Sequence, residues 1–197
     1  VHLGSMSASV RSILRDNEDT IRPGDVFMMN DPFNGGTHLP DVTVVTPVFD
    51  QSGTRIEFVT ASRGHHADIG GKTPGSAPPD SCHIDAEGVL IDNFQLVRGG
   101  QLRDAETRDL LSSGPFPCRN VDQNMADLTA QIAANATGAV ELGKAVAQFG
   151  VDTVQAYMAH VQDNAEESTR RAISVLQDCS FEYRLDNDAL IRVSITV

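Results

Sequence analysis

The chain has 197 residues, of which 40% are hydrophobic and 21% charged, and it carries a formal net charge of −12. That composition is globular and long enough to bury a core, while the acidic balance excludes a nucleic-acid groove, which needs a basic stripe. No apolar run approaches the ~18 residues needed to span a bilayer and no secretory leader is read. Neither nucleic acid nor membrane is therefore expected as a partner. The cysteines, Cys82, Cys118 and Cys179, are odd in number and widely spaced, which fits a reducing cytoplasm better than a disulfide framework.

In chain order, Met6, Val10, Ile13 and Leu14 repeat at helical spacing and predict a helix over 5–20, stopped by Pro23-Gly24. Residues 25–30 read as a short apolar strand. The run Asp31-Pro32-Phe33-Asn34-Gly35-Gly36-Thr37 must be a loop, since proline and two glycines do not fit a regular element. Residues 42–49 and 54–61, rich in Val and Thr, predict a β-hairpin about Asp50-Gln51-Ser52-Gly53. Pro47 suggests an edge strand or a bulge. Residues 63–81 read as a second long loop, of a length usually functional or disordered. Residues 88–97 are read as extended and 103–111 as a short helix. Apolar spacing from Val121 to Phe149, and again from Val151 towards Asp178, predicts two long helices joined at Gly150 and packed as an αα-hairpin. The last residues, 190–197, alternate like a strand awaiting a neighbour, and the Val-His-Leu start is not an initiator Met, so both ends look cut.

The expected fold class is α+β: a hairpin-containing sheet with active-site loops, plus the helical hairpin, as a fragment of a larger domain. We divide it into a mixed catalytic-type region over 1–118, helices over 119–180 and strand over 181–197.

The hairpin register carries the chemical argument. With Ser52 at the tip, Phe49 faces Arg55, Asp41 faces Arg63 and His38 faces His66, so the hairpin mouth gathers His38, Asp41, His65, His66 and Asp68. Cross-strand neighbours lie ~5 Å apart; a bulge at Pro47 shifts the register by about one residue, which keeps both His65 and His66 open. Imidazole and carboxylate arms with open positions suit a divalent ion, Zn, Mn or Fe, that polarises a carbonyl or acidifies a water. Against this stands the plain reading, histidines at the surface end of a strand. His2, His83 and His160 gain nothing from the register. Glycine pairs flank the cluster, and no phosphate-binding loop is visible.

At these residues the sequence resembles the hydantoinase B/5-oxoprolinase family. The blocks that carry the resemblance are His2-Leu3-Gly4-Ser5-Met6, residues 24–41, residues 63–71, Pro74-Gly75-Ser76, Glu87-Gly88-Val89, residues 119–128, Ala134-Asn135 and residues 154–161. They recur in order, ungapped, over nearly the whole chain, and look closest to the 5-oxoprolinase branch.

The resemblance implies a cytoplasmic module of an ATP-dependent cyclic-amide hydrolase, in the reaction of glutathione metabolism that takes 5-oxo-L-proline, ATP and water to glutamate, ADP and phosphate. ATP is bound by a hydantoinase A-like partner, fused or separate, and not by this chain. The related acetone carboxylases place a manganese-type ion on a His-x-x-Asp pair and a later His, which map onto His38, Asp41 and His65, with His66 as the fallback. Asp68 and His66 are the candidate catalytic residues. Arg63 and Asn34 are the candidate contacts to a small cyclic amide, Arg63 because a guanidinium grips a carboxylate bidentately. Family members are longer, so activity of this chain alone is not expected, and an oligomer is. The alternatives are an N-methylhydantoinase or acetone-carboxylase-like subunit, or a non-catalytic interaction module.

Overall fold

The run Val26-Phe27-Met28-Met29 has no polar residue to turn towards water, and it becomes the middle strand of a five-stranded sheet. The computed structural model describes residues 2–76 and 78–197, without the Leu3 side chain. In the main sheet β1 (Val26–Met29) lies between β2 (Asp41–Phe49) and β4 (Phe94–Arg98), with β3 (Ile56–His65) and β5 (Gln101–Leu102) at the edges and every pair antiparallel. Side-chain alternation sends Val26 and Met28 to one face and Phe27 and Met29 to the other. The first face packs with Val42, Val44, Met125 and Leu128, the second with Val45 and Ile13. Helix α1 (Met6–Asp16) therefore covers one face and the first half of α3 (Val121–Phe149) the other, which is why β1 is apolar throughout.

Two long connections, residues 30–40 and 66–93, are clipped by one buried amide. Asn30 donates to the Leu39 and Val89 carbonyls at 2.8 and 3.0 Å and accepts from the Ile91 N–H at 2.7 Å. The first connection also approaches α1 so closely that a Cβ on Gly35, at φ +94°, would lie 2.9 Å from the Ala8 carbonyl oxygen. Only glycine serves there.

The hairpin forms, in a register two residues from the expected one. Asp41 faces His65 and Thr43 faces Arg63, so Asp41 does not oppose Arg63, and His38 lies outside the ladder. The loop closes between Asp50 and Arg55, and a register irregularity between Val48 and Phe49 adds one residue to β3. Pro47 is neither that bulge nor on an edge strand; it lies past Val45, where the β1 ladder ends.

Helices α2 (Asp104–Leu111), α3 and α4 (Val151–Ile173) fall where expected, with Gly150 at φ +82° between the last two. The buried positions of α3 end at Asn135, and α4 buries no residue. The chain divides into two compact units, Val1–Leu142 and Gly143–Val197. Met125 and Leu128 belong to the core under the sheet. In the second unit the terminal strand β7 (Leu190–Ile195) does have a neighbour: it pairs with β6 (Cys179–Arg184) in a two-stranded hairpin. Among the described residues, no helix is long and apolar enough to cross a membrane.

Candidate metal centre

His65 ends β3 and Asp41 begins β2, directly opposite each other. Because the pleat alternates, His65 and His66 leave the strand towards opposite faces, and His65 is the one beside Asp41. His65 Nδ1 lies 2.7 Å from Asp41 Oδ1. His38 arrives from the loop: its carbonyl accepts the Asp41 N–H at 2.8 Å, a turn over Leu39-Pro40 that the fixed φ of Pro40 favours. The His38 and His65 rings are 5.7 Å apart, tilted by 32°. One ligand atom from each of His38, Asp41 and His65 lies within 4.8 Å of the others. Ligands ~2.1 Å from a shared ion lie at most ~4.2 Å apart, so closing the set takes a side-chain adjustment of less than ~1 Å.

Asp41 is fully buried, whereas the His65 side chain is 48% exposed, so the carboxylate is fixed and the imidazole side faces solvent. Burial by itself would raise the Asp41 pKa; hydrogen bonds and charge from His65 and His2 outweigh it and hold the carboxyl below the usual range. The donor set is thus an ionised buried carboxylate and two imidazoles, chemistry that fits Mn, Zn or Fe.

His2 was not legible from spacing. Its Nδ1 hydrogen-bonds Asp41 Oδ2 across 39 residues of chain, and Thr37 Oγ1 lies 3.2 Å from the same nitrogen. The one signal for it was the His2–Met6 block of the resemblance.

Four other expected site residues are engaged elsewhere. His66 is buried on the α3 side: its Nδ1 accepts from Asn124 at 3.0 Å and its Nε2 faces Gln131 Oε1 at 3.2 Å. The Gln131 amide donates to the Val42 and Ser62 carbonyls, so Nε2 of His66 carries the proton. Burial lowers the His66 pKa, which keeps the ring neutral. Asp68 accepts from the backbone N–H of Arg119 at 2.7 Å and from its guanidinium at 2.6 Å, anchoring the approach to α3. Arg63 spends its fork on Thr43 Oγ1, Ser5 Oγ, Ser9 Oγ and the His2 carbonyl. Asn34 joins Ser12, Arg15, Asp16 and Asp92. Both fasten α1 to the sheet and its loops, and neither presents a free donor array to a ligand.

Burial, together with the charge of Asp68, pushes the Cys118 thiol up to about 12, which favours the protonated, less reactive form.

The profile of the hydantoinase B/oxoprolinase family matches residues 1–197. The chain belongs to that family. It is 44% identical to 5-oxoprolinase 1 of Arabidopsis thaliana over 184 residues, 88% of this chain and 14% of that protein. To 5-oxoprolinase of Saccharomyces cerevisiae it is 38% identical over 209 residues, 100% of this chain and 16% of that protein. The crystal structure of the ATP-dependent caprolactamase of Pseudomonas jessenii is similar at TM-score 0.80 and 29% identity, covering 98% of this chain and 34% of that one. The chain thus spans a small part of the length of its curated relatives.

Proposed function

We propose that this chain is the metal-holding part of a hydantoinase B-type module in an ATP-dependent cyclic-amide hydrolase, of the 5-oxoprolinase kind. The observation that carries the reading is the buried Asp41 facing His65 and His38 at the hairpin mouth, in a chain 38–44% identical to proteins named 5-oxoprolinase. The caprolactamase likeness supports a cyclic amide as the substrate class. The reaction is 5-oxo-L-proline, ATP and water to glutamate, ADP and phosphate, with ATP held by a hydantoinase A-like domain or subunit.

His38, Asp41 and His65 would hold a divalent ion, which when bound supplies Lewis acidity to a lactam carbonyl, a poor electrophile unaided. The exposed side of His65 offers the approach for substrate. His66 and Asp68 act through position, joining the hairpin mouth to α3, and Arg63 and Asn34 act by fixing α1. We retain a cytoplasmic location as part of the proposal.

A second reading has its own observation. In the second unit Tyr157 and Val161 on α4, and the cross-strand pair Phe181 and Val193, are exposed, apolar positions suited to contact with other parts of a multi-part enzyme; on this reading the chain is an interaction module alone. The test is an ATP-dependent assay of the intact protein with its A-type part, against 5-oxoproline and N-methylhydantoin, with metal analysis before and after chelation. Glutamate formation that needs ATP and is lost with the metal supports the proposal. Turnover of the hydantoin alone moves the assignment to a hydantoinase, and a metal-free, inactive protein leaves the interaction module.

A further inference from the structure

We infer that His2 is a positioning residue of the centre: it holds the second oxygen of Asp41 so that the first stays aimed at the ion. This rests on the metal reading above. Asp41 is fully buried, so neither of its oxygens is solvated, and a buried carboxylate requires partners for both. His65 takes Oδ1 at 2.7 Å. Oδ2 is taken by His2 Nδ1, with Thr37 Oγ1 at 3.4 Å beside it. His2 is not one of the three residues whose ligand atoms converge; it stands behind the carboxylate, the place from which hydrogen-bonding partners orient ligands around a metal.

The second support is how His2 itself is held. A residue 39 positions from Asp41 in sequence needs a tie to stay in register with it, and Arg63 provides one. Its Nη1 donates to the His2 carbonyl at 2.8 Å and also to Ser5 Oγ; Nη2 donates to Ser9 Oγ at 2.7 Å; Nε donates to Thr43 Oγ1 at 2.8 Å. Thr43 is two residues along β2 from Asp41. The planar fork thus joins the segment from His2 to Ser9 to the strand that carries the carboxylate, and a lysine could not span those acceptors. The path runs from Arg63 through His2 to Asp41 Oδ2.

The experiment uses the intact protein, stripped of metal and titrated with Mn2+ by loss of the free-ion signal in electron paramagnetic resonance. His2→Ala is expected to weaken Mn2+ binding ~10–100-fold, the usual cost of losing such a partner. His2→Asn, whose amide Nδ2 can stand where Nδ1 stands, should restore most of it. Saturated with Co2+, His2→Ala should keep the wild-type visible spectrum, because no ligand has been lost. Should His2→Ala not fold, His2→Phe keeps the ring's bulk without its nitrogens and reads the same loss. Equal Mn2+ affinity in wild type and His2→Ala overturns the inference and leaves the metal reading standing. An altered Co2+ spectrum at saturation also overturns it, by making His2 a ligand. A wild-type protein that takes up neither ion removes the metal reading, and this inference with it.

Discussion

Asp41 Oδ1 and His65 Nδ1 are 2.7 Å apart across the β2–β3 ladder, joined by a register pairing rather than by a loop. The pair closes the open end of the ladder, so the strands position Asp41 and His65 more precisely than a loop would, while His38 is brought in by the 30–40 connection. The pairing also makes the carboxylate the least replaceable member of the set, since it alone is fully buried and alone contacts two histidines.

Asp41→Asn should therefore abolish stoichiometric metal and turnover together in the intact enzyme. Asn keeps the shape and removes the charge, so loss without unfolding assigns the role to charge. Metal content by mass spectrometry, alongside the ATP-dependent assay and a thermal melt, checks it; full metal content with normal turnover would end the ligand assignment.

Asp68→Asn should behave differently. Its carboxylate receives two bonds from Arg119 and, among the described residues, none from a histidine ring, so the expected effect is a stability loss of ~1.5–3 kcal/mol, the scale of a hydrogen bond to a charged group. Metal affinity should remain within about threefold of wild type. Urea unfolding and a metal titration on the same variant separate the two effects, and a large drop in affinity at unchanged stability would return Asp68 to the centre.

Leu128 is 1% exposed in the core beneath the sheet, and Leu128→Ala should cost ~2–5 kcal/mol with metal binding unchanged. Met158 is 39% exposed on α4, a helix with no buried residue, so Met158→Ala should cost clearly less than Leu128→Ala. Denaturant midpoints of the two variants decide between them.

Thiol labelling offers a fourth check. Cys82 and Cys179 are exposed, while Cys118 is buried with its thiol pushed up to about 12. At pH 8 a maleimide should modify the first two quickly and spare Cys118 until the protein is unfolded. Peptide mapping reads the order, and early modification of Cys118 would mean that the contact between the 66–93 connection and α3 opens readily.

The sequence by itself determined the elements, and with them the site's ingredients. Period-two and period-3.6 patterns are local properties of the chain, so the hairpin, the helices of 121–149 and 151–173 and the glycine break between them were legible. So was the convergence of His38 and Asp41 with the His65–His66 pair, because a hairpin centred near Ser52 brings the far ends of its two strands together. Tertiary structure decided what local pattern does not encode. Parity along β3 separated His65 from His66, and the irregularity between Val48 and Phe49 set which residue Asp41 meets. The packing of α3 under the sheet turned His66, Asn124 and Gln131 into a buried network. Arg63 became a tie for α1, and His2 became a partner of Asp41, through contacts 39 and more residues apart. Such contacts depend on which surfaces meet once both faces of β1 are covered, and no spacing within the chain carries that information.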